Sequence, residues 1–476
     1  MASIKKNFLY SSALTVSGYI FPFITYPYVS RVLGVNNIGI CNFVDSIINY
    51  FILFSMLGIS VLGVREIAKV NGSPQKVSRV FSDLLSLNAI FTILSLIALC
   101  FSILFIPQFY EYRSLMFIGL LKLVFNFLQI DWFFQGIENF KYVTLRGVMI
   151  KALYVLLVFI FIRDSSDYKV YYLLSVLMVV FTALINIMYC RHFVDIKIKG
   201  ISFLFYIKPF CILGIYALLT SMYTSFNIAY LGFVSGEIEV GYYTTAIKLY
   251  TIFLALFTAF TGVMIPRMSS LVAENKMEEF KRISRKSSDI LFSFSIPLII
   301  YTSIFAPQII MLISGKGYEG AILPMRIVLP LILFIGYEQI LICHILMPLK
   351  KDKAILINSI IGASVGILLN ILLVPYWGSI GSSIVWLLSE IAVLCSAQSF
   401  VKKYLLLSFP FKSLLRNIVY MLPLVVFVMI CNFYIKSLLL SLFIGAGVVC
   451  IYSLIIQIYC IKNEFIIAAI SKLGIK

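Results

Sequence analysis

Charge is the scarcest property of this sequence: 12% of its 476 residues are charged, against roughly 25% in soluble domains. A chain so poor in charge cannot turn most of its surface to water. Histidine occurs twice, and the nine cysteines stand singly, with no CxxC pair and no His/Cys cluster. That spacing argues against a disulfide framework and a zinc site, so each cysteine reads as a small apolar packing residue. Phosphate-loop (GxxxxGK[ST]) and HExxH signatures are missing as well, and no loop on the poorly charged side is long enough to house a glycosyl-transfer or ligase site. A ring-forming filter motif is also missing. Catalysis, a cofactor and a metal are therefore not expected, which leaves movement of a substrate.

What fills the chain is apolar: 62% of residues are hydrophobic. Runs of about 20 apolar residues, enough to cross roughly 30 Å of hydrocarbon, begin near Phe8, Gly39, Val80, Ser114, Thr144, Val170 and Pro209. They continue near Tyr242, Asp289, Leu323, Ala354, Gly381, Ile418 and Leu438. The expected fold is an all-α integral membrane protein with about fourteen transmembrane helices. The first run is too long for a cleavable signal peptide and is expected to be a permanent helix.

The net charge of +18 invites a nucleic-acid reading, but the bases are sorted by loop. About 28 of the 38 fall on one set of alternate loops, among them Arg65, Lys69, Arg146, Arg285, Lys412 and Arg416, whereas the other set holds only Arg31, Arg113, Arg163, Lys169, Lys316 and Lys436. By the positive-inside rule both termini are cytoplasmic.

The chain also repeats itself at an offset of about 200 residues. Leu33-Gly34 with Ile38-Gly39 resembles Leu231-Gly232 with Val240-Gly241. Ser82-Asp83-Leu84-Leu85 matches Ser288-Asp289-Ile290-Leu291, and Ile106-Pro107-Gln108-Phe109 matches Ala306-Pro307-Gln308-Ile309. Six spans per copy give both copies the same orientation, so two six-helix lobes related by a pseudo-two-fold along the membrane normal are expected. The boundaries are 1–190 for the first lobe, 191–208 for a cytoplasmic linker lying along the inner leaflet, and 209–401 for the second lobe. Residues 402–476 then hold a C-terminal helix pair, facing lipid, and a tail.

Four bases, Lys122, Lys151, Lys248 and Arg326, sit inside the apolar runs, where a charge is costly and marks function. Several polar residues share helical faces with one another: Asn42, Asp45 and Asn49; Lys122, Asn126 and Gln129; Thr244, Lys248 and Thr251. Asn227 adds to these, with Thr220 and Thr224. Such stripes read as walls of a wet cavity or as interhelical hydrogen bonds. Lys151 is expected near the inner end of its span and Arg326 near the outer end of its own, each within reach of the interface. Arg326, Tyr337 and His344 are expected on one face. The acids Asp45, Asp131, Glu338 and Glu390 are either partners of the buried cations or ion-coupling sites. Asn358, Gly362, Gly366 and Asn370 form a small-residue face suited to close helix packing. Pro22, Pro27, Pro324 and Pro330 are expected to bend or break their helices.

The motifs Ser30-Arg31-Val32-Leu33-Gly34 with Ile38-Gly39, Gly63-Val64-Arg65-Glu66-Ile67-Ala68, Asp131-Trp132-Phe133-Phe134-Gln135-Gly136-Ile137-Glu138, and Gly241-Tyr242-Tyr243 with Ala246 and Lys248 carry a resemblance. Over about the first 400 residues the chain resembles the lipid-linked oligosaccharide (O-antigen and capsule type) flippases of the multidrug/oligosaccharidyl-lipid/polysaccharide exporter superfamily. The resemblance implies a bacterial inner-membrane transporter that turns a polyprenyl-diphosphate-linked glycan to the outer leaflet by alternating access. It implies a cationic cavity for the diphosphate, with Arg31, Arg65 and Lys248 as motif candidates beside Lys122, Lys151 and Arg326. Partners would be that glycan lipid and membrane lipids, with a polysaccharide polymerase as a further candidate and no nucleic acid. The competing reading is a cation-coupled multidrug exporter of the same superfamily, whose cavity would be acidic.

Overall fold

The computed structural model describes residues 4–195, 202–463 and 467. Residues 196–201 of the expected linker and the end of the tail lie outside the described residues. All regular structure among the described residues is helical. In hydrocarbon a backbone N–H or C=O has no water to bond, so an apolar segment must satisfy its own backbone, and a helix does this within one segment. Eleven helices are long and apolar enough to cross a membrane, or twelve if the bent pair Glu237–Ala255 and Phe260–Ala273 forms one span.

Two of these elements are far longer than one crossing. Ile4–Met56 has 53 residues and Asp352–Leu405 has 54, each about 80 Å at 1.5 Å per residue. Each is broken at one glycine, Gly34 (φ 76°, ψ 168°) in the first and Gly378 (φ 49°, ψ −127°) in the second. These angles suit glycine, which has no Cβ to clash. The expected breaks at Pro22 and Pro27 are not there, since the helix runs through both and opens only at Gly34. Pro324 sits in the first turn of Ile322–Val328, where its missing N–H costs no helical bond, while Pro330 does mark a break before Leu331–Gln339.

The chain divides into two compact units, residues 1–241 and 242–476. In the first, two of the resemblance motifs pack on each other. Ile59–Val70 buries Ile59, Leu62, Gly63 and Ile67, and a Cβ on Gly63 would stand 2.3 Å from the Trp132 ring. A Cβ on Gly136 would stand 2.7 Å from Ile67 Cβ. Trp132 stacks on Phe81 with ring centroids 5.6 Å apart, in a core that also holds Phe133 and Phe134. The repeated glycines meet as well: a Cβ on Gly39 would lie 1.8 Å from the Glu237 carbonyl oxygen, and one on Gly241 2.4 Å from that of Val35. Backbone packs directly on backbone at this crossing.

In the second unit Asn358, Gly362, Gly366 and Asn370 are all buried. The C-terminal helices Phe411–Tyr434 and Leu438–Ile455 do more than face lipid, because buried polar side chains tie them to Met277–Ile304. Gln457 Nε2 donates to Asn417 Oδ1 at 2.9 Å, Ser293 Oγ donates to Gln457 Oε1 at 2.9 Å, and Asn463 Nδ2 donates to Ser293 Oγ at 2.8 Å. Of these amides, Asn417 lies within Phe411–Tyr434 and Gln457 and Asn463 lie just beyond Leu438–Ile455, with Gln457 isolated among apolar neighbours in the sequence.

Gly39→Ala is expected to destabilise the purified protein by about 1–3 kcal/mol, the usual range for overpacking. It would be read as a lower melting temperature in detergent. Gly262→Ala, in a helix with nothing within 4 Å of the added Cβ, should leave melting unchanged or slightly raised.

Candidate functional site

The stripe Asn42, Asp45 and Asn49 meets Lys122 from the helix Arg113–Asn126. Lys122 Nζ donates to Asp45 Oδ1 at 2.5 Å and to Asn49 Oδ1 at 2.9 Å, and Asn49 Nδ2 donates to Asp45 Oδ2 at 3.0 Å. Asp45 and Asn49 are one helical turn apart, so a single ammonium can bridge them. They also line a cavity of about 340 Å³ with Asn42, Ser46, Tyr50, Ser221 and Ser225. Of the two readings open for Asp45, the ion pair is the observed one. The Lys122 stripe stops short, because its helix ends at Asn126. The chain turns at Ile130, whose φ of 38° is left-handed, and Gln129 falls in that turn, where its carbonyl accepts from the Asn186 amide.

Asp131 opens the next short helix and pairs with Arg146, a residue the loop sorting had put among the exposed cytoplasmic bases. Arg146 Nη1 donates to Asp131 Oδ1 at 2.8 Å and Nη2 to Oδ2 at 3.2 Å. Nη1 also donates to Asn186 Oδ1 at 2.6 Å, Asn186 Nδ2 donates to Asp131 Oδ1 at 2.9 Å, and Tyr142 Oη donates to Asn186 Oδ1 at 2.9 Å. The guanidinium carbon lies 5.7 Å from the centre of the Tyr142 ring. A planar fork meeting a carboxylate with both arms is the geometry in which arginine outperforms lysine. The signal available in sequence was the pairing of an acid and an arginine across a short connection, but a base next to a polar break reads as a loop residue.

Lys151 is not near the end of its helix. Asn139 caps Phe140–Phe161 by accepting from the Tyr142 N–H, so the helix starts four residues before Thr144 and Lys151 falls at its middle. Half-buried, it donates to Ser17 Oγ at 3.1 Å and to the Leu14 carbonyl at 3.5 Å, both neutral groups, and no carboxylate lies within ion-pair reach among the described residues. Arg31 and Arg65 are exposed. Arg65 Nε pairs with Glu66 at 2.9 Å, and Lys69 joins the same carboxylate at 2.8 Å.

In the second unit Lys248 is half-buried, Thr244 is buried, and Thr251 turns its hydroxyl back to the Lys248 carbonyl at 2.7 Å. Asn227, in the first unit, is buried, and Asn126 is partly so. Arg326 is exposed, donating from Nε to the Ser303 carbonyl at 3.0 Å, while Tyr337 and His344 are buried. The expected common face fails because the helix is interrupted before Leu331 and widens into a π-turn over Ile340–Leu346, which resets the angle per residue. Glu338 and Glu390 are buried neighbours within electrostatic reach of each other, and Trp386 Nε1 donates to Glu390 Oε1 at 3.1 Å.

Comparison with known proteins places this arrangement. Residues 4–272 match the family model described as "Polysaccharide biosynthesis protein". The chain is 24% identical over 412 residues to the "Putative O-antigen transporter" of Escherichia coli (strain K12), covering 85% of this chain and 98% of that protein. It is 24% identical over 409 residues to the protein of the same name from Shigella dysenteriae, covering 84% and 100%. Among solved structures it resembles "Lipid II flippase MurJ, inward closed conformation" with a TM-score of 0.76 at 16% identity, over 94% of this chain and 98% of that one. An outward-facing "multidrug resistance MATE family transporter of the MOP superfamily" aligns with a TM-score of 0.57 at 18% identity, over 84% and 95%. These relatives are named as transporters and flippases, not as enzymes, and the fold they share is that of an all-α multi-pass membrane transporter.

The buried cluster makes an asymmetric prediction. The Arg146 side chain is 5% exposed and that of Asp131 36%. Asp131→Asn, which strands a buried cation, should cost about 3 kcal/mol; Arg146→Met, which strands a carboxylate that water can reach, about 1 kcal/mol. Thermal melting of the two variants in detergent would test the order, and equal losses would contradict it.

Proposed function

Because this chain belongs to the polysaccharide biosynthesis protein family, we propose that it translocates a polyprenyl-diphosphate-linked oligosaccharide from the cytoplasmic to the outer leaflet of a bacterial inner membrane by alternating access. Counting each of the two long broken elements as two crossings and the bent pair as one gives fourteen spans. With the alternating basic loops, that even number supports cytoplasmic termini. The sequence repeat supports two lobes of six spans.

The observation that carries the reading is the charge pattern of residues 1–241. Lys151, at mid-helix, has only neutral oxygen partners among the described residues. Lys122 stands behind the wall of a cavity, holding two of its lining residues, Asp45 and Asn49, and is neutralised by Asp45. A diphosphate carries about two negative charges, and at 4 Å each pairing with a cation is worth about 4 kcal/mol at an effective dielectric near 20. Lys122 can exchange Asp45 for a phosphate oxygen, which frees a carboxylate in the cavity wall. Lys151 has no anion to give up among the described residues. Lys248, in residues 242–476, is a candidate on its motif alone. Arg31 and Arg65, both exposed, fit interface anchors at least as well as head-group ligands. An amphipathic cation would find no unpaired acid in the cavity wall, which disfavours the multidrug reading.

In cells lacking the native gene, Lys122→Gln, Lys151→Gln and Lys248→Gln should each cut surface polysaccharide by about tenfold or more, the worth of one charged hydrogen bond. The lipid-linked precursor should accumulate on the cytoplasmic side at normal protein levels. Unchanged surface polysaccharide in all three would sink the assignment, and loss of cationic-dye efflux instead would establish the multidrug alternative.

A further inference from the structure

The 242–476 unit contains a second and larger cavity, about 770 Å³, within the range of about 300–1,000 Å³ typical of small-molecule sites. It lies between Met277–Ile304, the end of Asp352–Leu405 and the start of Phe411–Tyr434, and three bases line it: Arg285, Lys412 and Arg416. Its polar floor is already satisfied. Tyr337 Oη donates to Gln398 Oε1 at 2.8 Å, Gln398 Nε2 donates to the Leu407 carbonyl at 2.8 Å, and Asp289, the one acid in the lining, accepts from the Ser413 hydroxyl. None of the three bases has a carboxylate within ion-pair distance among the described residues. Three positive charges therefore share one cavity with a single carboxylate, that of Asp289, which is bonded to Ser413 and ion-paired to none of them, and the N-terminus of the 24-residue helix Phe411–Tyr434 adds its partial positive charge at the same place.

Apolar side chains stand exposed beside the bases. Leu406 is 87% exposed and Phe411 62%, as expected where a protein meets acyl chains rather than water. The same end of the unit carries Arg282, Lys402 and Lys403, so it is the end that the positive-inside rule assigns to the cytoplasm. Basic pockets between membrane helices on that side are suited to anionic lipid head groups.

We propose that this cavity binds the phosphate head group of an anionic glycerophospholipid of the inner leaflet, with its acyl chains against Leu406 and Phe411. A free phosphate would satisfy the charges but leave the exposed apolar pair unexplained. Because Arg285 stands on one helix and Lys412 and Arg416 on another, the bound phosphate links the C-terminal helix pair to the rest of its unit.

The purified full-length protein in a neutral detergent can be titrated with phosphatidylglycerol, phosphatidylcholine of the same chains, and inorganic phosphate, and followed by native mass spectrometry and thermal melting. Phosphatidylglycerol should be retained and should raise the melting temperature, whereas phosphatidylcholine should do neither. Arg285→Gln/Lys412→Gln/Arg416→Gln should weaken retention by about tenfold or more, and Arg282→Gln/Lys402→Gln/Lys403→Gln, with the same charge removed outside the cavity, by less than about twofold. If the first triple variant is unstable without lipid, Arg416→Gln alone should still show a smaller loss of the same sign. Equal losses in both triple variants would reduce the effect to bulk attraction, equal retention of phosphatidylcholine would remove the head-group specificity, and displacement by millimolar phosphate would make it a free-phosphate site; each overturns the proposal.

Discussion

A charge or hydrogen-bonding group in hydrocarbon has to find its partner inside the protein, and the first unit is organised around that requirement. Arg146 is enclosed by Asp131, Asn186 and the Tyr142 ring, which joins two consecutive helices, Asp131–Gly136 and Phe140–Phe161, to Tyr168–Cys190. Lys122 is held by Asp45 and Asn49, which joins Arg113–Asn126 to the long first helix. Hydroxyls obey the same rule more cheaply by bonding back along their own helix, as Ser30 does to the Tyr26 carbonyl and Ser82 to that of Ser78. The polar side chains that remain for a substrate are those this internal pairing leaves over.

Glycine sets where the helices can meet. Gly39 and Gly241 allow backbone to touch backbone, and Gly63 receives the flat face of Trp132. The motif residues around Gly63 and Trp132 are thus explained first by packing. That changes the weight of Arg65, which shares a motif with Gly63 but points to the exposed side of its helix and is already engaged by Glu66. A residue can belong to a motif through its neighbours' packing rather than through its own chemistry.

The helical class, the shared face of Asn42, Asp45 and Asn49, and the placement of Lys122 within an apolar helix were legible in the sequence because ideal helical geometry governs each of them. Misreadings occurred where the chain departs from that geometry. Ile130 turns the backbone and removes Gln129 from its stripe, the π-turn at Ile340–Leu346 separates Arg326 from His344, and the Asn139 cap moves Lys151 to mid-helix. Arg146 was lost for a different reason. A base beside a polar break satisfies the positive-inside pattern whether or not it is exposed, so charge sorting alone cannot distinguish an anchor from a buried latch.

The difference between Lys122 and Lys151 also bears on how a transporter can release what it binds. A cation with no resident acid gains the full attraction of an incoming phosphate, and that attraction must be overcome again on release. A cation already paired gains only the difference between the phosphate and the carboxylate it gives up, so its binding is weaker and its exchange easier. On the proposed function, Lys151 supplies net affinity for an anion, and Lys122 with Asp45 supplies a reversible contact whose return to the ion pair favours departure. Differential affinity of this kind is what a ligand needs in order to shift a conformational equilibrium without being trapped by it.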